Sequence, residues 1–214
     1  KVIDYGVLEV YTEAVDRVSF ASDSDTWELT PAQQKALEEV QEQFNQKNTV
    51  LLQGVAASGK TLLYSQLIEQ TLAQGKSVLY LVPEVGLSVQ LMNRLEHFFG
   101  DKMSVYHGKY SSHERVEVWN NVLANKPKAQ FVLGVRAAVC LPFHDLGLVI
   151  VDEEHDLSYK QEQTPPRFQV RDTALMLAHL HGAKTLLGSA TPSAESYYNA
   201  QVGKYGFVQL LERY

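Results

Sequence analysis

The segment Gly54-Val-Ala-Ala-Ser-Gly-Lys-Thr61 has the residue types and spacing that hold a polyphosphate. It reads Gly, four residues, Gly, Lys, Thr, which is the P-loop pattern. Glycines let the backbone curl until its N–H groups point inward at phosphate oxygens. A helix opening near Lys60 adds the positive end of its dipole. The Lys60 ammonium would neutralise the β and γ phosphates of ATP, and the Thr61 hydroxyl would ligate Mg²⁺. The expected ATP-binding residues of this segment are therefore Gly54, Val55, Ala56, Ala57, Ser58, Gly59, Lys60 and Thr61.

A second cluster is Val149-Ile-Val-Asp-Glu-Glu-His155, where an apolar stretch delivers adjacent acids. Asp152 is suited to the Mg²⁺ shell with Thr61, and Glu153 to orienting and polarising an attacking water. Lys60, Asp152 and Glu153 are the expected catalytic residues, with the acids on a strand neighbouring the P-loop strand. His155 reads either as a coupling residue or as a surface cap. The other histidines show no metal-ligand spacing; His179 and His181 face different ways on a helix. The two clusters together imply a nucleoside triphosphatase and leave open what the energy drives.

These groups need elements to position them. Thr30, Pro31 and Gln33 form a capping pattern that opens a helix running to about Phe44. Strands are expected over 49–53, 77–82, 103–106, 130–134, 146–151 and 184–188, and helices over 61–72, 87–99, 112–124 and 171–181. Runs such as Leu148-Val-Ile-Val151 lack period-2 alternation, so their strands are buried on both faces. The fold class is α/β: a mostly parallel β-sheet sandwiched by helices, with ligands at the carboxyl ends of the strands. Residues 1–28 read as the tail of a preceding module plus a linker, marked by Ala21-Ser-Asp-Ser-Asp-Thr26.

Composition limits the remaining function classes. The chain has 214 residues, 45% hydrophobic and 21% charged, as expected of a folded globular protein. Its net charge of −6 is uneven: residues 8–45 hold nine acids and two bases, and residues 46–214 hold 16 bases and 15 acids. Neither part is a basic coat that would bind nucleic acid indiscriminately, so any DNA contact must come from a placed cleft. No apolar run approaches the roughly 20 residues of a membrane helix. The single cysteine, Cys140, excludes an internal disulfide and a multi-cysteine zinc site. A reducing cytoplasm and no membrane partner are expected.

Several segments then resemble a known family. Asp152-Glu-Glu-His155, Gly188-Ser-Ala-Thr-Pro-Ser193 and Val82-Pro-Glu-Val-Gly-Leu87 look like motifs II, III and Ia of helicase superfamily 2. Leu29-Thr-Pro-Ala-Gln33 looks like the adenine-reading segment ahead of its P-loop. Ser158-Tyr-Lys-Gln-Glu-Gln163, followed by Pro166-Arg-Phe168 and Arg171-Asp172, resembles the aromatic-rich loop of the bacterial primosomal replication-restart helicases, the PriA family. The resemblance covers residues 29–214 and implies a RecA-like P-loop domain, the N-terminal ATP-binding lobe of such an enzyme. Residues 1–28 would then close a winged-helix region.

The resemblance also implies roles. Gln33 would read the adenine edge, although its amide can equally cap its own helix. Trp27 could stack nearby or simply pack. His155, Ser189 and Thr191 would couple the γ-phosphate to lobe movement. Pro83, Glu84 and Arg136 would line the path of one DNA strand. Tyr159 and Phe168 would offer stacking faces, with Lys160, Arg167 and Arg171 supplying charge. The cofactors implied are ATP and Mg²⁺, with zinc held only by a C-terminal part outside this chain. The partners implied are forked or single-stranded DNA, other primosome proteins and single-strand-binding proteins. The activity implied is a DNA-dependent ATPase and 3′→5′ helicase that restarts stalled forks and promotes primosome assembly. Without a second lobe to supply an arginine finger, this chain alone should turn over very slowly. Alternatives are a double-strand DNA translocase or restriction-type motor, a small-molecule P-loop kinase, or a domain that keeps the fold without catalysis.

Five positions depart from the family pattern. Ala56 and Ala57 replace a Thr and a Gly, which ATP binding tolerates if neither position needs positive φ. Val135 and Ala138 stand where hydroxyl residues are expected, removing two donors to a DNA phosphate. Val89 stands where Pro is expected.

Overall fold

The structure, a computed structural model, describes residues 28–84, 86–108, 110–162 and 165–213. The expected tail, linker and Trp27 lie outside the described residues. Helix α1 (Pro31–Gln46) opens as the capping pattern requires: the Thr30 hydroxyl accepts from Gln33 N, and the Gln33 side chain accepts from Thr30 N. Its buried residues Ala36, Leu37, Val40 and Phe44 recur on one face. Then follow β1 (Thr49–Gly54), α2 (Lys60–Ala73), β2 (Ser77–Leu81), α3 (Val89–Phe99), β3 (Met103–Tyr106), α4 (Ser112–Leu123), β4 (Phe131–Gly134) and β5 (Leu146–Val151). The remainder is β6 (Lys160–Gln161), β7 (Phe168–Gln169), α5 (Val170–His181), β8 (Lys184–Ser189), α6 (Ala194–Gln201) and β9 (Gly206–Leu210). Helix α3 starts at Val89 rather than Leu87 because the Ser88 hydroxyl caps it, accepting from Leu91 N.

Seven strands form one sheet in the order β3-β4-β2-β5-β8-β1-β9, and every pairing in it is parallel. Successive residues of the inner strands enter opposite cores. Val50 and Leu52, Val78 and Tyr80, and Leu148 and Ile150 pack on the face covered by α1, α2 and α3. Leu51, Leu79, Leu81, Val149 and Val151 pack on the other, against residues of α4, α5 and α6. Burial on both faces is why these strands read as unbroken apolar runs. Each such side chain contributes about 1.5–3 kcal/mol relative to exposure.

One expectation is corrected by the strand order. β5, which carries the acids, is not the neighbour of the P-loop strand β1; β8 lies between them. Helix α6 and strand β9 also go beyond the elements read from the sequence. β9 is an edge strand whose burial alternates, held by β1 through Val50 opposite Gly206 to Gly54 opposite Leu210. Such a short edge carries little pattern of its own. The expected loop between residues 158 and 172 contains a two-residue antiparallel pairing, Lys160 with Gln169 and Gln161 with Phe168. No helix among the described residues is long and apolar enough to cross a membrane.

Candidate active site

The sheet brings five segments to one edge, each leaving the carboxyl end of a parallel strand: the P-loop after β1, Pro83 and Glu84 after β2, Arg136 after β4, residues 152–155 after β5, and Thr191 after β8. The P-loop starts where Val55 N donates to Leu210 O of β9. Its last residue before α2 is Gly59, with φ +79°, a conformation glycine takes without steric cost. A methyl there would also overlap Gln33 Nε2. Ala57 has φ +59°. The position where the family pattern has glycine does need the left-handed conformation, so alanine sits there at a cost of about 1–2 kcal/mol.

Lys60 Nζ donates to Gly54 O at 2.8 Å and lies 3.8 Å from Glu153 Oε1. Ser58 is buried, and its Oγ has no hydrogen-bond partner among the described residues. An unmet buried hydroxyl is costly unless something completes it. Its place inside a loop of N–H groups beside an ammonium fits a phosphate oxygen. The donors present therefore suit Mg²⁺ with a nucleotide: Ser58, Lys60 and the loop N–H groups for phosphate, Thr61 and Asp152 for the metal.

Asp152 is reached by three tyrosines. Its Oδ1 accepts from Tyr64 Oη at 3.0 Å and its Oδ2 from Tyr80 Oη at 3.2 Å, while its backbone carbonyl accepts from Tyr159 Oη at 2.7 Å. Burial pushes the Asp152 carboxyl above the usual aspartate range, with the Glu153 charge adding to the rise; the Tyr64 hydrogen bond and Lys60 oppose it. Burial, then the Asp152 charge, pushes all three phenols well above theirs. Glu153, half-exposed, has φ +45°, so the acid turn holds a strained backbone where Glu153 faces Lys60. Gly188 of β8 makes the crossing possible: a methyl there would overlap the Tyr64 hydroxyl and lie 3.2 Å from Asp152 Oδ1.

The residues expected to couple the site to lobe movement converge. Ser189 Oγ is 2.8 Å from His155 Nδ1, and Thr191 Oγ1 is 3.4 Å from His155 Nε2. Glu153 Oε2 lies 3.7 Å from the same imidazole. His155 thus hydrogen-bonds to Ser189 and Thr191 at the turn after β8, with the Glu153 carboxylate close by.

Gln33 stands differently from its expected role. It is buried, and its Nε2 donates to Ser58 O at 2.9 Å while its Oε1 accepts from Thr30 N. Its amide ties α1 to the P-loop rather than presenting a free edge to a base.

Three of the expected DNA contacts are also corrected. Tyr159 is 1% exposed and offers no stacking face, because its ring belongs to the core and its hydroxyl is used on Asp152. Arg171 is buried: Nη1 donates to Glu154 Oε2 at 3.1 Å and to Ser193 Oγ at 2.7 Å, and Nε to Asp172 at 2.9 Å. Burial opposes its charge, but the bonds to Asp172 and Glu154 prevail and hold its pKa above the usual value. Pro83 is buried as well. Arg136 pairs with Glu84 at 3.3 Å across the mouth of the β2 and β4 loops, both accessible to solvent. Lys160 pairs with Glu162, Arg167 is exposed, and half-buried Phe168 packs on the core. Lys160, Arg167 and Phe168 line a shallow depression of about 580 Å³ on the β6–β7 pairing.

Three participants escape the sequence reading: Tyr64, Tyr80 and Glu154. Tyr64 follows Lys60 by four residues on α2, so helical geometry places it on the same face; that spacing is the signal. Glu154, the third acid of the run, is fully buried. It accepts from Ser193 N, Ser193 Oγ, Ser196 Oγ and Arg171, tying β5 to α5 and the start of α6. No sequence signal separates it from its two acidic neighbours.

Comparison with known proteins agrees with this geometry. The family model described as DEAD/DEAH box helicase matches residues 30–200. The chain is 38% identical over 207 residues to the replication restart protein PriA of Bacillus subtilis (strain 168), covering 96% of this chain and 25% of that protein. It is 45% identical over 174 residues to the protein of the same name from Chlamydia trachomatis serovar D, covering 81% and 22%. The chain thus spans about a quarter of the length of the curated relatives it matches. Among solved structures, RecG bound to a three-way DNA junction superposes with a TM-score of 0.61 at 23% identity, covering 87% of this chain and 24% of that one. The helicase MrfA bound to DNA gives 0.62 at 20%, covering 90% and 28%. These two likenesses establish the fold.

Proposed function

Because the chain belongs to the DEAD/DEAH box helicase family, we propose that it is the N-terminal ATP-binding lobe of a DNA-dependent ATPase and 3′→5′ helicase that restarts stalled replication forks. The observation that carries this reading is the convergence of Lys60, Glu153 and Asp152, beside a P-loop with one unmet buried hydroxyl. The replication-restart role and primosome assembly come from the relatives named PriA. DNA as partner draws on them and on the DNA-bound neighbours.

In this reading the P-loop N–H groups, Ser58 and Lys60 bind and orient the phosphates. Lys60 leaves the Gly54 carbonyl to do so. Thr61 and Asp152 would hold Mg²⁺, which when bound would neutralise charge on the phosphoryl group. Glu153 orients the attacking water and holds its proton. The Glu153–His155–Ser189–Thr191 path carries the state of the γ-phosphate to the turn after β8. Arg136 and the Lys160–Phe168 hairpin contact the DNA backbone, Arg136 exchanging Glu84 for a phosphate. A second lobe completes the site, zinc is held outside this chain, single-strand-binding and primosome proteins are partners, and the protein works in the cytoplasm.

The test is the ATPase rate of the full-length protein with and without forked DNA, beside Lys60→Ala. Strong DNA stimulation abolished by the substitution is the expected outcome. DNA-independent hydrolysis would refute the motor reading, and strand displacement separates a helicase from a double-strand translocase.

A further inference from the structure

We propose that Tyr64 and Tyr80 are positioning residues that clamp the Asp152 carboxylate at both oxygens, so that it meets Mg²⁺ in one fixed orientation. The inference rests on reading Asp152 as the metal-side acid and extends it to residues that the P-loop and acid motifs do not contain.

The geometry carries it. The Tyr64 hydroxyl donates to Oδ1 at 3.0 Å and the Tyr80 hydroxyl to Oδ2 at 3.2 Å. One donor on each oxygen fixes the carboxylate plane, which a single donor would leave free to turn. Glu153 N adds a third bond to Oδ1 at 3.1 Å. Oδ1 thus accepts two bonds and Oδ2 one, which leaves Oδ2 the capacity for a further partner. The two phenols are themselves immobile. Both are fully buried, and their rings meet edge to face, centroids 5.5 Å apart and planes at 78°. Phenylalanine would pack the same space, so the hydroxyls are what the packing does not require.

The clamp also links the carboxylate to the phosphate side. Tyr64 lies on α2, the helix that begins with Lys60 and Thr61, and the Thr61 side chain lies beside the Tyr80 hydroxyl. Gly188 of β8, the strand that separates β1 from β5, admits the Tyr64 hydroxyl to Asp152. One helix thus supplies the phosphate cation, a metal-side hydroxyl and one jaw of the clamp. Groups that orient metal ligands in this way commonly account for 10–100-fold in metal affinity.

The experiment titrates Mg²⁺ into the chain with a fluorescent N-methylanthraniloyl-ADP and reads the Mg²⁺ midpoint of the signal. The same nucleotide is titrated separately in EDTA. Tyr64→Phe and Tyr80→Phe are compared with the unsubstituted chain, and thermal unfolding is recorded for each. The expected result is a midpoint raised about tenfold in each variant, with the EDTA affinity unchanged. A midpoint unchanged or lowered in both variants overturns the clamp. So does a parallel loss of both affinities with a lowered melting temperature, which a packing role alone produces. If one variant fails to fold, the other decides the matter on the same readouts. Absence of Mg²⁺-dependent binding in the unsubstituted chain would overturn the nucleotide reading and the clamp with it, whereas normal binding with unmoved midpoints overturns the clamp alone.

Discussion

Glu154→Gln tests how far the fold depends on the buried acid behind Asp152 and Glu153. The carboxylate is fully buried and accepts four bonds, from Ser193 N at 2.6 Å, Ser196 Oγ at 2.8 Å, Ser193 Oγ at 3.0 Å and Arg171 Nη1 at 3.1 Å. Glutamine keeps the shape but brings one NH₂. If that NH₂ takes the Oε1 place it meets the Ser193 N–H, a donor that cannot turn. If it takes the Oε2 place it meets the Arg171 guanidinium, which cannot accept. Either way a buried donor is left facing a donor. Removing one partner of a buried ion pair costs about 3–5 kcal/mol. The low end applies here, because Arg171 keeps its bond to exposed Asp172. About 3 kcal/mol lowers the melting temperature by about 6–12 °C for a chain of this size. Thermal unfolding followed by circular dichroism measures it. Pairing the change with Arg171→Met should lose less than the two single losses together, by about 0.5–3 kcal/mol. A melting temperature within 2 °C of the parent for Glu154→Gln would refute the reasoning.

Three other perturbations follow from the same geometry. Ala57→Gly should raise the melting temperature by about 1–3 °C, since relief of the left-handed alanine outweighs glycine's greater unfolded entropy; a lowered value in the same melt would count against the strain. Asp152→Asn should stabilise the nucleotide-free fold while removing Mg²⁺-dependent nucleotide binding. The sign comes from burial: a carboxyl with a raised folded pKa binds its proton more tightly in the fold, so its charging lowers stability as pH rises through that pKa. A melting temperature below the parent at neutral pH would reverse this account. Gly188→Ala should cost about 1–3 kcal/mol by overpacking against Tyr64, and Tyr64→Phe in the same chain should recover part of it, as unfolding curves of the three variants would reveal.

Much of the candidate nucleotide site was legible in one dimension because its parts are local. The P-loop is eight consecutive residues whose backbone must curl and whose next turn must be helical, so spacing suffices to recognise it. The acids at 152 and 153 follow directly on an apolar strand. His155, Ser189 and Thr191 could be grouped by resemblance, and their side chains do meet. The DNA contacts were less legible. An aromatic or an arginine in a polar stretch reads as exposed, yet Tyr159 and Arg171 are buried by partners 7 and 17 residues away, Asp152 and Glu154. Gln33 was ambiguous for the same reason: which end of an amide is free depends on what packs over it, here Ser58.

The order of types along the chain, apolar strand, glycine-rich turn, capped helix, was enough to indicate a parallel α/β domain with a candidate phosphate site at the strand ends. Those features depend on neighbours in sequence, where propensity, capping and period act. The strand order, by contrast, depends on which apolar faces bury one another across long separations, and it put β8 between the P-loop and the acids. From that placement came the need for a bare Gly188, the reach of Tyr64 to Asp152, and the enclosure of Glu154 with Arg171. Each is a contact between segments whose separation along the chain carries no periodic signal, so only packing in three dimensions could select it.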